Sequence, residues 1–136
     1  MIVPTASGHL VKLLDFGVAK GPTEGDLIER MGAALVGTVH YMAPEQALGA
    51  SRADARSDVW SLGCIAYELL AGRPPFQGED PMHVCARVLA GNYEPVRKLP
   101  PGVPLGLASI VDKCLSRSPD DRFADAGVLR AALSEP

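Results

Sequence analysis

Residues 57–76 read SDVWSLGCIAYELLAGRPPF. From Asp58 to Ala71 the apolar side chains Val59, Trp60, Leu62, Ile65, Ala66, Leu69 and Leu70 occupy much of a helix circumference rather than one stripe, which predicts a helix buried on nearly all sides. Ser57 is the expected N-cap and Gly72 the expected stop, and Pro74 and Pro75 stiffen the chain that leaves. A helix of this kind needs other elements around it, and the rest of the chain supplies them.

Downstream, EDPMHVCARVLAG at 79–91 predicts a helix with Asp80 as N-cap, Pro81 at the first position, an apolar stripe through Met82, Val84, Cys85, Val88 and Leu89, and Gly91 as terminator. Further helices are expected from about Leu105 to Leu115 and from about Asp125 to Leu133, joined by the proline-rich KLPPGVP. Upstream, MIV and LVKLL flank the turn-forming PTASGH and predict a short hairpin ending at Leu14. Residues 18–42 contain Gly21, Pro22, Gly25, Gly32 and Gly37 without a sustained period, which predicts a long loop. The fold class expected is mainly α: a small helical bundle with a short β-hairpin and a long loop.

With 136 residues, 47% of them hydrophobic, the chain makes at most one domain. A net charge of −3 and the lack of a Lys/Arg run argue against nucleic acid or an anionic membrane as partner. Met1 to Leu10 has neither a basic region nor a sustained apolar run, and the apolar stretch around CIAYELLAG is too short to span a bilayer and carries Glu68, so no membrane segment and a cytoplasmic location are expected. Cys64, Cys85 and Cys114 are far apart, with no C-x-x-C or Cys/His pairing, and read as reduced residues of apolar helices. His9, His40 and His83 form no metal-spaced pair and read as non-catalytic, and Lys20 reads as a solvated loop cation.

DFG at 15–17, GTVHYMAPE at 37–45, the 57–76 stretch and DDRF at 120–123 occur in an order and spacing that resembles the protein kinase family over almost the whole chain. GT before HYMAPEQ looks like the serine/threonine branch, and PEQ, RSDVWSLG and GRPPF are similar to its bacterial members. The resemblance implies a fragment of the C-terminal lobe: hairpin and DFG at 1–17, an activation segment at 18–45 and a helical subdomain at 46–136. It implies ATP and Mg²⁺ as cofactors, and protein substrates or another kinase chain as partners.

The resemblance also assigns residues. Asp15 becomes the Mg²⁺ ligand, a hard oxygen donor leaving a strand end, with Phe16 packing inward to aim it and Gly17 allowing the turn; alone, DFG reads as an ordinary turn. Gly37 and Thr38 become the segment that receives the substrate residue, against the plainer reading of a Ser/Thr turn. Thr23, the only hydroxyl residue between Gly17 and Gly37, becomes the candidate phosphosite, against that of a solvated loop threonine. Glu45 and Arg122 become a buried structural ion pair. Asp58 becomes a holder of the catalytic-loop backbone, while by itself it favours the helix dipole.

The 136 residues contain no G-x-G-x-x-G, no V-A-I-K-type lysine and no H-R-D-x-x-x-x-N, so none of them is the family's catalytic aspartate. The chain is therefore expected to be the part of a kinase domain that follows the catalytic loop and to be inactive alone. Two other readings compete: a catalytically dead module that docks another kinase or its substrates, and a half-domain completed by a separately encoded partner.

Overall fold

The computed structural model describes residues 2–5, 8–11, 38–49, 52–99 and 102–134. Strands β1 (Ile2–Thr5) and β2 (Gly8–Val11) pair antiparallel, with Val3 opposite Leu10 and Pro4 opposite His9. The hairpin thus reaches further into PTASGH than β-propensity suggests, because pairing rather than side-chain type carries Thr5 and Gly8 into the ladder. Residues 12–14, expected to end it, lie outside the described residues.

The central helix, here α2, spans Ala55–Ala71 and starts a turn earlier than the apolar pattern predicts. Its N-cap is Asp54, whose carboxylate accepts the Arg56 N–H at 2.8 Å, and not Ser57. Ser57 is buried inside the helix and spends its hydroxyl elsewhere. Gly72 closes the helix in the left-handed region at φ 69°, as does Gly91 at φ 68° after α3 (Pro81–Ala90). Asp80 caps α3 by accepting the His83 N–H at 2.9 Å, with Pro81 at the first position. Two more helices follow, α4 (Leu105–Cys114) and α5 (Ala126–Ser134). Elements not legible in the sequence include the helix α1 (Pro44–Leu48), a 3₁₀ turn at Thr38–Tyr41, which takes the end of the expected 18–42 loop, and short 3₁₀ turns at Val96–Lys98 and Pro119–Asp121.

Helix α2 packs on α4 and α5, while α3 lies against α1 and the 38–41 turn. Trp60, Tyr67 and Phe76 are fully buried with Val39, Val84, Val88, Val96, Ala108 and Val111 in one cluster. Trp60 stacks on Phe76 with centroids 5.4 Å apart, and Tyr93 closes on both Phe76 and Tyr67. Val59, Cys114, Phe123 and Leu129 form a second cluster between α2, α4 and α5. Gly63 makes the close approach of α2 to α4 possible, since a Cβ there would stand 2.6 Å from the Cys114 Cβ.

The expectation that α2 is buried on nearly all sides is corrected. Leu62, Ile65 and Leu69 are 40%, 46% and 81% exposed and line an apolar trough of about 340 Å³ shared with α5. Apolarity all round a helix records what its surfaces prefer, not which of them the described residues cover. Cys64 and Cys114 are buried and Cys85 is half-buried, all as free thiols. Burial pushes the Cys64 thiol up to about 12 and the Cys114 thiol up to about 11, which keeps both protonated.

Candidate functional site: the strap held on the central helix

Residues 38–46 cross α2 as a strap, and the ends of the strap are fixed by different chemistry. Val39 and Ala43, four residues apart, are fully buried, so the strap enters the core at two points. The 3₁₀ turn is continued by the Met42 N–H donating to the Val39 carbonyl, and the Gln46 side chain accepts the Ala43 N–H at 2.9 Å to start α1. Between them Tyr41 is held twice by α2. The Ser61 hydroxyl donates to its carbonyl at 2.8 Å, and its own hydroxyl donates to Glu68 Oε2 at 2.7 Å. The hydrogen bond to Glu68, with burial and that carboxylate's charge, pushes the Tyr41 phenol above its ordinary value.

Glu45 anchors the other end. Arg122 Nη1 and Nη2 donate to Glu45 Oε1 and Oε2 at 2.8 and 2.9 Å, a two-pronged pair joining residues 77 apart in sequence. The remaining donors of the guanidinium go to backbone carbonyls: Nε to Ser116 at 2.8 Å, Nη1 to Arg56 at 3.0 Å and Nη2 to Arg117 at 3.1 Å. All five N–H groups of the arginine are therefore engaged. The guanidinium also lies 4.8 Å above the Trp60 ring. The Trp60 indole N–H itself has no acceptor among the described residues. Ser57 adds a third donor to Glu45 Oε1 at 2.7 Å. Burial pushes the Glu45 carboxyl up, but the hydrogen bonds from Arg122 and Ser57 outweigh it and hold the group below its ordinary 4.5.

The hydroxyls and carboxylates of the arrangement are engaged in holding the strap. Among the described residues no group of three or more His, Cys, Asp or Glu stands together as a metal site, and no helix is long and apolar enough to cross a membrane.

The profile of the family described as "Protein kinase domain" matches residues 1–134. The chain belongs to the protein kinase family. Its relatives include the serine/threonine-protein kinase PknB of Mycobacterium leprae, 40% identical over 125 residues that cover 92% of this chain and 20% of that protein. PknB of Mycolicibacterium smegmatis is 38% identical over 128 residues, covering 94% and 20%. A probable serine/threonine-protein kinase of Streptomyces coelicolor, SCO3848, is 38% identical over 132 residues, covering 97% and 19%. The kinase-family chain is thus similar to bacterial serine/threonine kinases and spans about a fifth of the length of these curated relatives.

Of the site residues expected from the sequence, the structure brings Glu45 and Arg122 together and puts the Thr38 backbone at the start of the strap. Asp58 is exposed in the first turn of α2. Asp15, Phe16, Gly17, Thr23 and Gly37 lie outside the described residues. Sequence reasoning did not single out Tyr41, Ser61 and Glu68, and it gave Ser57 the wrong task. The available signal was that the polar residues at 57, 61 and 68 fall on one face of the helix.

Proposed function

We propose that this chain is the C-terminal part of a serine/threonine protein kinase domain, whose reaction is transfer of the ATP γ-phosphoryl group to a Ser or Thr hydroxyl of a protein. In this reading residues 1–17 carry the Mg²⁺ ligand Asp15, with Phe16 and Gly17 setting its direction. Residues 18–45 form the activation segment, with Thr23 as a phosphosite and Gly37 and Thr38 beside the substrate, and residues 46–136 are the platform. Asp15 is a carboxylate of the hard oxygen type that Mg²⁺ prefers, and a bound MgATP would supply the phosphoryl group and its charge neutralisation. Protein side chains are the substrates, and a protein partner is the class this surface is expected to meet.

The observation that carries the reading is the Glu45–Arg122 clamp, which holds the strap containing Thr38 against α2. A segment fixed so firmly at one end suits presentation of a peptide at a constant distance from a reacting phosphate. The Glu45 and Arg122 pair is assigned a structural task, and Asp58 the task of receiving the backbone of a catalytic loop.

By themselves the 136 residues are proposed to be inactive, because they contain no glycine-rich loop, no ATP-binding lysine and no H-R-D aspartate, and positioning with charge stabilisation provides nearly all catalysis in this chemistry. Incubation of the purified chain with radiolabelled MgATP and casein is expected to give no incorporation. Incorporation that vanishes in Asp15→Ala would overturn the inactivity. In-frame DNA upstream of the first codon that encodes H-R-D-x-x-x-x-N would support the kinase reading, and a gene without it would favour a docking module.

A further inference from the structure

Positions 57, 61 and 68 share one face of α2 by its 3.6-residue repeat, and each of these side chains grips the strap. Their grips differ in kind. Ser57 holds a side chain, Glu45, and Glu68 holds the side chain of Tyr41. Ser61 takes a backbone atom, the Tyr41 carbonyl oxygen, at 2.8 Å. Its hydroxyl also lies 3.3 Å from the Ser57 carbonyl, four residues back, which is where a helical serine ordinarily donates. A hydroxyl has one proton, and the shorter contact goes to the strap.

We propose that Ser61 is a positioning residue: by donating to the Tyr41 carbonyl it fixes the register of residues 38–45 along α2, and with it the place of the Thr38 backbone. The strap's other fastenings, Glu45 on Arg122 and the Tyr41 hydroxyl on Glu68, run through side chains, which can follow a small shift of its backbone. Val39 and Ala43 both enter the core, and burial alone penalises a slip without naming the correct offset. A backbone acceptor in the middle of the strap, equidistant in sequence from those two residues, sets that offset. The consequence for substrate placement rests on the kinase reading; the mechanical claim does not.

The test is hydrogen exchange by NMR on the 136-residue chain and its Ser61→Ala and Ser61→Thr variants, with no nucleotide present. Alanine is the better helix former, so α2 is not weakened at that position. Loss of one hydrogen bond is expected to speed exchange of the Tyr41, Met42 and Ala43 amides about five- to tenfold. Amides of α4 and α5 are expected to keep their rates, and Ser61→Thr, which keeps the hydroxyl, to restore the parent rates in the strap. Unchanged strap exchange in Ser61→Ala would mean that the hydroxyl only back-bonds its own helix, and would overturn the proposal. Equal acceleration throughout α2, α4 and α5, or no restoration by threonine at an unchanged melting temperature, would overturn it too. Absence of phosphoryl transfer in any setting would count against the kinase reading and leave this result standing.

Discussion

Replacing Arg122 by alanine removes the residue that ties the strap to the far end of the chain. The side chain is fully buried, and its five donors serve Glu45 and the carbonyls of Arg56, Ser116 and Arg117. Glu45 is only 9% exposed and would keep Ser57 as its remaining side-chain donor. Removing one partner of a buried pair costs about 3–5 kcal/mol, because a buried charge is left uncompensated. The carbonyls sit nearer water, and their loss adds less. Against a total stability of about 5–15 kcal/mol, the change is a large fraction of the fold, and for a chain of this size it lowers the melting temperature by roughly 10–20 °C. Urea denaturation followed by circular dichroism measures it, with Glu45→Ala and the double variant completing a cycle. The two single effects are expected to overlap strongly in the double variant. A loss below about 1 kcal/mol in Arg122→Ala, or additivity within about 0.5 kcal/mol, would refute the reasoning.

Acid gives a second handle on the same pair: the folded Glu45 carboxyl is held below 4.5, so its contribution is present in full above about pH 4.5 and is lost as pH falls through the lower folded value. The deficit of Arg122→Ala relative to the parent should therefore shrink on acidification, read from urea midpoints between pH 7 and pH 3. Gly63→Ala would bring a Cβ to 2.6 Å from the Cys114 Cβ and 3.3 Å from Leu115, and this overpacking is expected to cost about 1–3 kcal/mol in the same denaturation assay. Asp80→Ala removes the acceptor of the His83 N–H and should cost about 1 kcal/mol, seen as a lower urea midpoint. Buried and held protonated, Cys64 and Cys114 should react with a disulfide reagent at pH 8 only at the rate of unfolding, with half-buried Cys85 reacting first.

Local sequence determined most of the helices, since their ends are set by groups within a few residues. Asp80 and Pro81 start α3 and Gly91 ends it, and Gly72 ends α2, because a cap needs only a near carboxylate, a missing N–H or a tolerated positive φ. The same locality misled at the start of α2, where Asp54 and Ser57 are both capping residues and only the fold decides which hydroxyl or carboxylate is spent elsewhere. Four motifs in order also carried the family, and with it Glu45 and Arg122 as a pair, although no local rule joins residues 77 apart. Tertiary structure alone decided what each polar group of α2 does. Ser61 and Glu68 look like surface breaks in an apolar helix until the strap lies across them, and then they become its backbone and side-chain anchors. The exposure of Leu62, Ile65 and Leu69 was hidden for the same reason: a residue's chemistry fixes what it favours as a neighbour, and only packing over long sequence separations fixes which neighbour it has.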